Sequence, residues 1–77
     1  MDAIKVDPEI MHGTPCFAGT RVPVVSLFEH LAAGYGLDYF IYQFPTVRRE
    51  QAEAVIEHAK RVVVGPLEPE WARAGRP

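Results

Sequence analysis

The sequence predicts a mainly α domain, three helices in a helix-turn-helix arrangement behind a short N-terminal β-hairpin. Three observations predict it. Apolar residues recur at helical spacing in three successive segments. Glycine or proline separates those segments after short intervals. The stretch before them alternates apolar and polar residues and is punctuated by Gly13, Pro15 and Gly19, the composition of short strands and turns.

At the N-terminus Ile4, Lys5 and Val6 alternate as a strand with one buried face would, and Asp7-Pro8 initiates a turn. Cys16-Phe17 and Arg21-Val22 are expected to form the arms of a tight hairpin around Ala18-Gly19-Thr20, with Gly19 at positive φ. Pro23 has no N–H to donate, so the second arm ends there or lies at an edge. The first helix is marked by Val24, Leu27, Phe28 and Leu31, and Gly34 and Gly36 close it. Leu37, Phe40, Ile41 and Phe44 mark the second, which Pro45 stops. The third runs through Ala52, Val55, Ile56, Ala59 and Val63, and Gly65-Pro66 ends it. Helix two is short, helix three is the longest, and the link of about three residues fits a helix-turn-helix. Residues 1–64 therefore form the domain. Residues 65–77 form a tail too poor in apolar residues to build its own core.

The chain has 77 residues and one cysteine, Cys16, so no internal disulfide supports it. His12, Cys16, His30 and His58 are too scattered for a structural zinc site, and no metal or cofactor is expected. A domain of this size buries only about 60% of its unfolded surface, which makes a homodimer or a protein partner the expected supplement. The lone cysteine, with no signal-peptide pattern and no bilayer-length apolar run, points to the cytoplasm.

The net charge is −2, without the global footprint of a strong nucleic-acid binder. Basic residues gather on the third helix, where Arg48, Arg49, Lys60 and Arg61 outnumber Glu50, Glu53 and Glu57 by one. Arg48 and Arg49 at the helix start are placed to meet phosphate or guanine, and Gln51 is of a type that reads adenine; with Lys60 they are the candidate DNA contacts. Solvated arginines paired with neighbouring glutamates explain the same residues equally well. Tyr39 and Tyr42 lie off the apolar stripe of helix two and suit a protein interface. Leu67, Trp71 and Arg73 give the tail candidate partner-binding side chains. Arg21 is expected to pack over the core and pair with Asp7 or Glu9. His12 with Cys16 lacks an orienting acid, so a buried, inert thiol is the expectation. No acid-base pair or phosphate-cradling loop is visible, and the chain is not expected to be an enzyme.

The run I-M-H-G-T-P-C-F-A-G-T-R-V-P-V, followed by L-A-A-G, then F-P and a helix ending in H-A, closely resembles the domain of unknown function 433 family over about residues 4–60. Members of that family are mostly VapB-type antitoxins or antitoxin-like proteins. The resemblance implies a homeodomain-like three-helix fold with a short β element. It also implies a partner encoded in the same operon, usually a small PIN-like ribonuclease toxin. Together with the helix-turn-helix pattern it makes operator DNA, bound by the third helix of a homodimer, the second expected partner. One departure stands out: members commonly open the third helix with Thr or Ser and an acid two positions on, whereas this sequence has Arg48 and Glu50. An arginine cannot accept a backbone N–H, so Thr46 is expected to cap instead.

Overall fold

The computed structural model describes residues 1–69. Its elements are β1 (Ile4–Lys5), β2 (Cys16–Phe17), α1 (Val25–Ala32), α2 (Leu37–Gln43) and α3 (Arg49–Val64), followed by a single 3-10 turn at Gly65–Leu67. Three helices and a two-stranded antiparallel sheet make the chain mostly helical.

The sheet pairs differently from the expectation. β2 pairs with β1, Ile4 opposite Phe17 and Lys5 opposite Cys16. The expected return arm, Arg21-Val22, forms no strand; it contributes one hydrogen bond, from Phe17 N–H to the Val22 carbonyl, and an isolated bridge joins Cys16 to Pro23. Pro23 ends the pairing because it has no N–H. The tight turn itself forms as expected. Gly19 has φ +78, Thr20 N–H donates to the Phe17 carbonyl, and the Thr20 hydroxyl both donates to that carbonyl and accepts Val22 N–H.

Each helix ends where its sequence dictates. α1 closes in a Schellman motif: Gly34, at φ +94, donates to Leu31, and Tyr35 N–H donates to His30. α2 begins on Gly36 and stops at Phe44, which leaves helical geometry ahead of Pro45. α3 begins at Arg49 with Arg48 as the extended N-cap residue, so Thr46 is not the cap. The guanidinium has no lone pair to offer the helix N–H groups. Only half of a capping box exists: the Gln51 side-chain oxygen accepts Arg48 N–H at 3.0 Å. Val47 just before the cap and Ala52 just inside the helix are both buried, as a hydrophobic staple requires.

One core receives all three helices and the sheet. Phe17, Leu27, Phe40 and Val47 are its fully buried large side chains, joined by Val24, Ala52 and Val55. Phe17 from β2 meets Phe40 from α2 at a centroid distance of 5.9 Å, inside the range of favourable aromatic pairing. Several expected apolar positions lie outside this core, among them Val6, which follows β1 and is exposed instead of sharing the buried face of Ile4. Phe28 is exposed on α1, and Val63 is 65% exposed because α3 runs past the layer it packs on. Cys16 is buried, as expected of an inert thiol.

Candidate functional site

Three of the four expected DNA contacts, Arg48, Arg49 and Gln51, lie at the start of α3 and Lys60 lies nearer its far end, and the fold commits most of them elsewhere. Arg48 is exposed beside the helix N-terminus. Arg49 is half exposed and ion-paired with Asp38 on α2, tying the first turn of α3 to the first turn of α2. Lys60 pairs with Glu57 one turn earlier at 2.8 Å. Gln51 is 5% exposed, so it is not the base-reading side chain anticipated from its type. Its oxygen holds Arg48 N–H, and its amide nitrogen donates to the Ala18 carbonyl at 2.9 Å, bridging α3 to the turn after β2. Both ends of the amide are used inside the fold. Glu50 and Glu53 remain exposed on the same helix and place negative charge beside Arg48.

The second set of candidates surrounds α2. Tyr39 stacks on Tyr35 with centroids 4.6 Å apart and planes 17° apart, and Tyr42 is 79% exposed. His30 lies behind the stacked pair, its Nδ1 2.7 Å from the Ser26 carbonyl. That carbonyl can only accept, so Nδ1 carries the proton. The ring packs edge-on to Phe40 and Phe44, which connects the exposed tyrosines to the core. The sequence placed Tyr39 and Tyr42 off the stripe correctly. It gave no sign of His30 as the piece that supports Tyr35 and Tyr39.

The third set is the far end of α3. From Lys60 to Val64 every residue of the helix is exposed. Val62, Val63 and Val64 are exposed, and Leu67 in the following turn is 80% exposed. Trp71 and Arg73, the other expected partner-binding residues, lie outside the described residues.

The chain matches the family described as "Protein of unknown function (DUF433)" across residues 4–59. The chain belongs to this family. The matched span runs from β1 to Ala59 on α3, so it takes in the sheet, the core and the Gln51 bridge and stops where α3 leaves the core. Similarity extends to "Uncharacterized protein y4eO" of Sinorhizobium fredii, 32% identical over 73 residues. The alignment covers 86% of this chain and 33% of that relative, so this DUF433 chain spans about a third of the relative's length. No solved structure matches.

Among the described residues of this DUF433 chain, no three histidine, cysteine or acidic side chains gather where a metal ion could be held. No described helix is long and apolar enough to cross a membrane. The exposed features are surfaces: the stacked tyrosines, the apolar end of α3, and the arginine at the start of α3.

Proposed function

We propose that this chain is the antitoxin of a type II toxin–antitoxin pair, acting in the cytoplasm by binding a PIN-like ribonuclease and not as an enzyme. The observation that carries this reading is the end of α3, where the apolar stripe continues past the core through Val63 to Leu67. Burying a valine or leucine side chain is worth about 1.5–3 kcal/mol, so a partner covering both gains a substantial part of a useful affinity. Residues 65–77 continue from that stripe and, with Leu67, Trp71 and Arg73, form the arm that docks on the toxin. Tyr39 and Tyr42 offer a second contact. The globular part is a homeodomain-like helix-turn-helix in this reading, and a homodimer supplies the burial a short chain lacks. Capture of the toxin encoded beside this chain, by the full chain and by a version ending at residue 64, tests the arm. Full-strength capture by the shortened chain would refute its role.

Operator binding through α3 is the second activity of the antitoxin reading, with Arg48, Arg49 and Lys60 as its contacts. The ion pairs of Arg49 with Asp38 and of Lys60 with Glu57 favour the alternative, a protein-binding module of the same fold without DNA activity. A salt-titrated mobility shift on the upstream operator separates the two. Specific binding that weakens with Arg48→Ala supports DNA recognition, and no shift at low salt removes it.

A further inference from the structure

We propose that the tyrosine face of α2 holds an arginine side chain of a partner protein. Tyr35 and Tyr39 stack on one another with centroids 4.6 Å apart, and the pair remains 49% and 41% exposed. An open stack of this kind receives a further flat group on its outer face. A guanidinium is such a group: it lies parallel to the ring and is attracted by the π electrons. Tyr42 follows Tyr39 by three residues, so its exposed ring stands beside the stack on the same side of α2.

The rings are held in place. His30 lies behind both tyrosines, at centroid distances of 6.0 Å from Tyr35 and 6.2 Å from Tyr39. The imidazole is itself fixed by the Ser26 carbonyl and by Phe40, which is fully buried. Tyr35 N–H closes the end of α1 on the His30 carbonyl, so the backbone under the stack is fixed as well. Side chains supported in this way lose little further freedom when they bind.

Charge selects a cation. From Val22 to Val47 the sequence has no lysine or arginine, and its two acids, Glu29 and Asp38, are both exposed. Asp38 adjoins Tyr39 and lies one turn before Tyr42 on α2. Its carboxylate already holds one guanidinium, that of Arg49, through Oδ1, and Oδ2 has no partner among the described residues. An incoming arginine can stack on a tyrosine and turn an N–H edge towards Asp38, which the round ammonium of lysine does less well. A nucleic-acid base also stacks on tyrosine, but its phosphates would meet Glu29 and Asp38 and no lysine or arginine from α1 or α2.

The proposal rests on the reading of Tyr39 and Tyr42 as a partner contact and names the side chain they take. Neither the end of α3 nor a ribonuclease enters its test, so its failure and the failure of the antitoxin reading are separate results.

The test uses ¹⁵N-labelled full chain, titrated at low ionic strength with a capped peptide carrying one arginine between glycines. Counterparts with lysine or citrulline in its place, and a short oligothymidylate, are titrated alongside. The arginine peptide is expected to move the amides of residues 35–42. Citrulline, which keeps the shape and loses the charge, should weaken binding by about 5-fold or more, with lysine between the two. Tyr39→Leu and Tyr42→Leu together should weaken it by a similar factor, and Arg49→Gln, which unloads Asp38, should strengthen it. Unchanged spectra elsewhere in these variants show that the fold survives. Four results would overturn the proposal: no response in the millimolar range, equal binding of the citrulline peptide, an undiminished response in the tyrosine variant, or tighter binding of the oligothymidylate at these amides.

Discussion

Replacing Gln51 with leucine removes two hydrogen bonds while nearly preserving side-chain volume. One is the bond that Arg48 N–H donates to the amide oxygen, and the other is the bond the amide nitrogen donates to the Ala18 carbonyl. A hydrogen bond of this kind contributes about 0.5–1.5 kcal/mol net, so the pair is worth about 1–3 kcal/mol. Both backbone partners lie in part-buried surroundings, where losing a partner costs more than it does in water. Added leucine burial offsets some of this, and a loss of about 2 kcal/mol is expected. For a domain of this length that lowers Tm by roughly 8–16 °C. Gln51→Glu separates the two bonds, because a carboxylate still accepts from Arg48 but cannot donate to Ala18. Buried with one oxygen against that carbonyl acceptor, the carboxylate should cost at least as much as leucine when unfolding is followed by far-UV circular dichroism at neutral pH. Gln51→Leu within about 0.5 kcal/mol of wild type, the range of an ordinary surface change, would refute the claim that this residue ties α3 to the sheet.

Three further outcomes are expected. Gly34→Ala should cost about 1–2 kcal/mol in urea unfolding, since φ +94 is unfavourable for any residue with a Cβ although nothing nearby obstructs one. Asp38→Asn should change stability by less than about 1 kcal/mol, as for other exposed ion pairs. If α3 meets DNA, it frees Arg49 and steepens the salt dependence of binding by about one phosphate contact; an unchanged slope places Arg49 away from DNA. Val63→Lys with Leu67→Lys should leave the unfolding midpoint within about 0.5 kcal/mol of wild type, because both side chains are already exposed; a larger loss would mean that they pack within the fold.

The helices were legible because their information is local. The stripe at Leu37, Phe40, Ile41 and Phe44 and the break at Pro45 delimit α2 without reference to anything distant. Gly34 announces a helix end in the same way. The sheet was not legible to that degree. Two-residue strands carry almost no periodicity, and the pairing of Ile4 with Phe17 spans a loop whose left-handed turn at Met11 and His12 no propensity anticipates. Val63 shows another limit: a stripe tells which face of a helix is apolar but not how far the opposing layer extends.

The site residues divide in the same manner. The exposure of Tyr39 and Tyr42 followed from their place off the stripe. The burial of Gln51 did not, although a glutamine three residues after Arg48 is the second half of a capping-box pattern and was the available sign. The partners of Arg49 and Arg21 depend on which acids the tertiary fold brings near. Asp38 reaches Arg49 from eleven residues away, and Asp7 spends its oxygen on its own turn instead of on Arg21.

The central claim is that the exposed end of α3 holds a toxic ribonuclease. Its most direct measurement is RNA cleavage by the proposed partner, a PIN-like ribonuclease, with increasing amounts of wild-type chain or of the Val63→Lys, Leu67→Lys variant. Wild type should suppress cleavage at near-stoichiometric amounts, and the folded variant should fail to do so. Equal suppression by both chains, or none by wild type, would contradict the claim.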